Sequence, residues 1–131
     1  MAVIVLDASA AVELLGATPR GQAVLRRLLG EPVLHAPHLL DVEVLSAIRR
    51  QAALGGIAEE RAARALALFQ DLRILRYPHH PFLKRIWQLR HNFSVYDSCY
   101  LAVTEVLGAT LLTCDKALAA ARLQRGAVEV I

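Results

Sequence analysis

Four acidic residues carry the chemical possibilities of this sequence: Asp7, Glu43, Asp97 and Asp115. Asp7 ends an apolar run and precedes a helix-forming one (V-L-D-A-S-A-A), and Asp115 repeats the arrangement (L-T-C-D-K-A-L). Taken singly, each reads as a helix N-cap, since a short carboxylate accepts hydrogen bonds from the open N–H groups of a first turn. Asp97 stands three residues after Ser94, the spacing of a variant capping box. Glu43 resists that explanation. On a helix its neighbours at spacings of three and four are Leu39, Leu40, Ser46 and Ala47, a small and apolar face. A carboxylate there is expected to be half-buried and to need a partner. Asp41 points to another face and reads as solvated.

The four acids mean more together than apart. Carboxylates a few ångströms apart raise one another's pKa, so a cluster cannot stay fully ionised without a counter-charge. Mg²⁺ is a hard cation that takes one or two carboxylates and keeps several waters. Such a metal turns water into a better nucleophile and offsets charge on a phosphoryl group. Metal-assisted hydrolysis of a phosphate ester is the chemistry this points to.

The elements that must position these acids alternate along the chain. Ala2–Leu6 predicts a buried strand, followed by helices over Ser9–Leu15 and Gly21–Leu29. Pro32–His35 predicts a short strand, and Pro37 opens a helix running to Leu54. Gly55–Gly56 breaks the pattern, and Ala58–Leu72 is a strong helix former. Arg73–Arg76 reads as a strand, Phe82–His91 and Val95–Leu107 as helices, and Ala109–Thr113 as a buried strand. Lys116–Arg122 completes the helices and Ala127–Ile131 the strands. This alternation implies an α/β fold with a parallel sheet covered on both faces. In such sheets the strands end along one edge, where ligands bind. Asp7 and Asp115 fall at those ends.

Composition narrows the class. The chain has 131 residues, a length that closes one hydrophobic core. Hydrophobic residues make up 56% and charged residues 21%, which excludes a disordered or low-complexity chain. So much apolar surface in a small domain predicts a face covered by a partner. Fifteen Lys and Arg against twelve Asp and Glu give +3, compatible with a polyanionic ligand. No apolar run reaches the ~20 residues needed to span a bilayer. No signal peptide is legible before Asp7, so the cytoplasm is expected. Cys99 and Cys114 lie in apolar segments and read as buried free thiols.

Three segments resemble the PIN-domain ribonucleases, and most of all the VapC-type toxins of toxin–antitoxin pairs. They are V-I-V-L-D-A-S-A, D-V-E-V-L-S-A-I-R-R and S-V-Y-D-S-C-Y-L-A-V-T-E-V-L-G-A-T-L-L-T-C-D-K-A-L. The resemblance covers the chain in order, as a single PIN domain over residues 1–131. It implies a three-layer α/β/α fold with a central parallel sheet, and metal-binding roles for Asp7, Glu43, Asp97 and Asp115. Ser9 and Thr113 match hydroxyl positions that orient an acid or a water. The implied reaction is hydrolysis of an RNA phosphodiester with Mg²⁺ or Mn²⁺ as cofactor, leaving a 5′-phosphate and a 3′-hydroxyl. The implied partners are RNA, a cognate antitoxin lying across an apolar groove, and a second copy in a homodimer. Some relatives carry a further acid after the last aspartate, and Lys116–Ala121 has none. That departure leaves the number of metals open.

Other residues read more plainly. Most arginines lie on solvated helix faces, with Arg49 and Arg50 singled out because they follow Glu43 and could reach an RNA backbone. His35 and His38 have H-x-x-H spacing, but Pro37 intervenes and no cysteine pair joins them, which weighs against zinc. His79–His80 read as an exposed turn, Trp87 with Leu83 and Ile86 as core or interface, and Cys114 as core packing. A receiver domain needs an acidic pair where Leu6 and Ala8 flank Asp7, and a dehalogenase-like phosphatase needs Asp where Ser9 stands. A non-catalytic binding module and a DNA-directed nuclease of the same fold remain as alternatives.

Overall fold

The computed structural model describes residues 3–31 and 33–131. Among these residues five parallel strands form one sheet: β1 (Ile4–Leu6), β2 (Leu34–Pro37), β3 (Ile74–Tyr77), β4 (Thr110–Thr113) and β5 (Ala127–Val130). Their order across the sheet is β3-β2-β1-β4-β5. β1 is central because it is wholly apolar, and Ile4, Val5 and Leu6 are fully buried. The less buried β3 and β5 form the edges.

Among the described residues six α-helices flank the sheet: α1 (Ala8–Gly16), α2 (Pro19–Leu28), α3 (Leu39–Ala53), α4 (Glu59–Asp71), α5 (Leu83–Leu89) and α6 (Val95–Leu107). Right-handed crossovers from β1 to β2 to β3 put α1–α4 on one face. The connection from β3 back across β1 to β4 reverses direction, so α6 packs against β1, β2 and β4 from the other side, with α5 upon it. The result is the expected three-layer sandwich. Tyr100, Leu101 and Val103 on α6 meet Ile4, Leu6 and Leu112 in the core. The reversal also opens a crevice beyond the carboxyl ends of β1 and β4, the usual ligand position in such sheets.

Several boundaries differ from expectation. Ala2 and Pro32, where two strands were expected to begin, lie outside the described residues. Pro37 closes β2 instead of opening a helix; its fixed φ and missing N–H suit a strand end. α3 starts at Leu39, whose N–H donates to His79 Nε2 at 3.0 Å, so His79 caps a helix from a distant turn. The segment after Asp115 is a short 3₁₀ turn, Lys116–Ala120, because Ala121 already turns extended toward β5. Asp41 is not merely solvated: Arg76 Nε reaches both its oxygens, at 2.9 and 2.8 Å. Trp87 is 62% exposed, with the Arg90 guanidinium 4.0 Å from the ring centroid, so it is not core. No helix among the described residues is long and apolar enough to cross a membrane.

The pair α1–α2 is locked by a close approach. Gly21 is buried, and a Cβ on it would stand 1.9 Å from the Glu13 carbonyl oxygen. Gly21→Ala must therefore push two helix backbones apart. Its stability in urea is expected to fall by about 2 kcal/mol, the usual range for overpacking; an unchanged midpoint would mean the pair is looser than this spacing implies.

Candidate active site

Asp7 leaves β1 extended and caps α1, as its sequence context suggests, but the cap is only part of its surroundings. Its Oδ1 accepts from the Ala10 N–H at 3.0 Å and from the Ser9 hydroxyl at 2.7 Å. Its Oδ2 accepts from the Thr113 hydroxyl at 2.5 Å. Thr113 is the last residue of β4, paired beside β1, so the bond ties the two strand ends together. The same two hydroxyl oxygens accept from the next loop: the Cys114 N–H donates to Ser9 and the Asp115 N–H to Thr113, at 2.9 and 3.0 Å. Ser9 and Thr113 thus fix Asp7 and the backbone that carries Asp115. Asp115 in turn caps its own turn through the Ala117 N–H at 3.0 Å.

The other two acids come from helices on opposite faces. Glu43, on α3, is half-buried as expected, and the partner it needs is Tyr100. The buried Tyr100 hydroxyl donates to Glu43 Oε1 at 2.6 Å. Asp97 stands one turn before Tyr100 on α6, so a single helix presents one acid and steers another. Ser94 caps that helix by accepting the Asp97 N–H at 3.0 Å.

Charge shows how closely the acids share the site. Burial pushes Asp7 up; hydrogen bonds from Thr113, Ala10 and Ser9 oppose this without overcoming it, and Asp97 adds repulsion. Burial also raises Glu43 against the pull of Tyr100, helped by the charges of Asp97 and Asp7. Asp97 is raised by burial first and then by Asp115. Asp97 adds to the rise of both Asp7 and Glu43, and is itself raised by Asp115.

Two of the four acids, Glu43 and Asp115, border a cleft of about 560 Å³. Glu43, Asp115, Ser9 and Cys114 line it together with Arg20 and Arg50. Cys114 packs against the core as expected, but it is only half-buried and also lines the cleft. Burial raises its thiol while Arg20 pulls the other way. Arg49 faces elsewhere, into a groove between α3 and α4. Among the described residues no three His, Cys, Asp or Glu side chains close a ready-made cage on a bare ion. The donor set is oxygen only and shares one field, which suits a cation that takes few protein ligands and keeps its waters.

Comparison with known proteins decides the family. The PIN domain family matches residues 4–123. The chain is 44% identical over 128 residues to Ribonuclease VapC12 of Mycobacterium tuberculosis, covering 98% of each. It is 46% identical over 118 residues to Ribonuclease VapC1 of the same organism, covering 89% of each. The chain belongs to the PIN-domain family, among the VapC ribonucleases. The fold agrees. The crystal structure of PAE2754 from Pyrobaculum aerophilum matches with a TM-score of 0.72 at 23% identity, over 98% of this chain and 84% of that one. That of Mycobacterium tuberculosis VapC20, described as a sarcin-ricin loop cleaving toxin, matches with a TM-score of 0.64 at 19% identity, over 86% and 90%. Within this PIN fold two contributors escaped the sequence reading. Tyr100 carried a signal in its three-residue spacing from Asp97. Arg20 carried none, because nothing in its local sequence places it beside residues 43 and 115.

Proposed function

We propose that this protein is a metal-dependent endoribonuclease acting as the toxin of a toxin–antitoxin pair, and that residues 1–131 act as one PIN unit. The observation that carries the reading is the shared field of Asp7, Glu43, Asp97 and Asp115 at the carboxyl ends of β1 and β4. Four acids drawn together against their own repulsion need a compensating cation. These four would hold Mg²⁺ or Mn²⁺. When bound, the ion supplies water activation and charge stabilisation at a phosphate. Ser9 and Thr113 hold the Asp7 carboxylate in one orientation, and Tyr100 does the same for Glu43. Substrate RNA enters the cleft as a single strand, where bases are free of pairing.

Two apolar surfaces support the expected partners. A groove between α1, α3 and α4, lined by Val12, Leu15, Ile48, Ile57 and Ala65, suits an antitoxin segment. The exposed Leu83, Trp87, Tyr96 and Val106 on α5 and α6 suit a second copy. The cytoplasm is the compartment proposed for the reaction.

The test is incubation of antitoxin-free protein with matched labelled RNA and DNA, in Mg²⁺ or Mn²⁺ and then in EDTA. RNA is expected to be cut only with metal, and millimolar metal to raise Tm, since a ligand bound only by the native state stabilises it. Equal cutting of DNA would point to a DNA-directed nuclease. Intact total cellular RNA with a metal-independent Tm would favour a non-catalytic module.

A further inference from the structure

The cleft that holds Glu43 and Asp115 is not walled by acids alone. Arg50 lies two turns beyond Glu43 on α3, so the two share a face, and both line the cleft. Arg49, rotated by about 100° from it, lines the groove beside Leu45, Ala62 and Leu66 instead. Arg20 reaches the same cleft from a different element, the first turn of α2.

Arg20 is in an unfavourable place for a cation. A helix N-terminus carries partial positive charge and favours acids; the first turn of α2 itself has none, and the acid at its cap is Glu13, which lines the same cleft. The turn is also rigid. Thr18 accepts the Gly21 N–H at 2.9 Å and donates its hydroxyl to the Glu13 carboxylate. Gly21 packs against the Glu13 backbone with no room for a Cβ. Among the described residues the ion pairs are Arg27–Glu129, Arg76–Asp41 and Arg85–Glu105, and neither Arg20 nor Arg50 takes part. A local rule broken in this way, at a rigid position beside a cluster of acids, is expected at a functional site.

Acids repel a polyanion, so a cleft that admits one needs cations close by. Guanidinium groups suit this because their fork matches two phosphate oxygens. We infer that Arg20 and Arg50 form a clamp for the backbone phosphates flanking the scissile bond of a single-stranded RNA, one from each of two elements bordering the carboxylates. This rests on the ribonuclease reading and adds which residues seat the strand. Phosphate contacts of this kind set register without reading sequence.

The test uses Asp97→Asn protein, so that RNA binds in Mg²⁺ without being cut. A fluorescent mixed-sequence single-stranded RNA is titrated from about 50 to 200 mM salt. Both arginines are exposed, so their substitution leaves the core untouched. Arg20→Gln and Arg50→Gln should each reduce the slope of log affinity against log salt by about 0.7, and the double variant by about 1.4. Arg20→Lys should restore the slope, because counterion release follows charge rather than fork geometry. Arg49→Gln, one residue away but in the other groove, should leave the slope unchanged. Slopes for Arg20→Gln and Arg50→Gln equal to that of Arg49→Gln, on a parent that binds RNA, would overturn the clamp alone. A parent with no salt-dependent RNA binding would overturn the ribonuclease reading and the clamp with it.

Discussion

Asp7→Asn should leave the protein folded and reduce RNA cleavage by about 10³-fold or more, since losing a metal-directed carboxylate forfeits several kcal/mol of charge stabilisation and each 1.36 kcal/mol is tenfold. The fold should survive because the site accepts the amide. Asn caps a helix as well as Asp, so its oxygen can keep the Ala10 N–H and the Ser9 hydroxyl. Its nitrogen would face Thr113, whose hydroxyl can then turn its proton to Ser9 Oγ, 3.2 Å away. Stability should rise in metal-free buffer. Asp7 has a folded-state pKa above its ordinary value, so its proton is held more tightly folded than unfolded. The wild type therefore keeps this contribution below about pH 4 and loses it as pH rises through the folded-state pKa. The amide escapes that loss. Tm of the variant should match the wild type near pH 4 and exceed it at pH 8. Single-turnover cleavage beside melting at both pH values decides the matter. Near-wild-type cleavage would remove Asp7 from the chemistry, and a collapsed fold would mean its role is structural.

Arg85→Ala should lower stability by about 3 kcal/mol, within the range for stranding one partner of a buried pair. For a chain of this size that is about 10 °C in Tm. The pair lies far from the acids in role. Arg85 on α5 grips both oxygens of Glu105 on α6, at 2.7 and 3.0 Å, and the Glu105 side chain is only 8% exposed. The Gln124 N–H also donates to Glu105 at 2.8 Å, so the carboxylate ties two helices to the segment that leads into β5. Burial pushes Glu105 up, but the Arg85 fork, the Gln124 N–H and the charge of Arg85 together hold it below its ordinary range. A depressed acid stabilises the fold above its unfolded pKa and ceases to as pH falls through the folded one. The gap between wild type and Arg85→Ala should therefore be full at pH 7 and narrow below about pH 4. Equal stability at pH 7 would show the pair to be energetically idle. Cleavage per folded molecule should stay unchanged, because neither residue lines the cleft.

Much of the frame was legible because its signals are local. Strands buried on both faces are rich in apolar residues, as Ile4–Leu6 is throughout and Thr110–Thr113 is at its two central leucines. An acid within a residue or two after such a strand falls at the carboxyl edge, so the placement of Asp7 and Asp115 followed from position alone. Glu43 could be read as half-buried because helical spacing names its neighbours within four residues. Where the reading went astray, the missing information was long-range. Arg76 meets Asp41 across thirty-five positions, and His79 caps α3 across forty. Pro37 looked like a helix start because Pro favours both a first helical turn and a strand end. The choice was made by the pairing of Pro37 with Tyr77 on β3.

The sequence by itself determined the alternation of elements and the parallel sheet, because periodicity is carried by neighbouring residues; it also singled out four acids as candidates, and its motifs resembled those of the family that the comparisons then showed. Only the tertiary structure decided what each acid touches. The strand order β2-β1-β4 sets Thr113 against Asp7, and the packing of α6 on the sheet brings Tyr100 to Glu43. It also separated Arg50 from Arg49 and brought Arg20 to the cleft. Contacts of this kind depend on which faces of distant elements meet, and hydrophobic burial settles that for the whole chain at once.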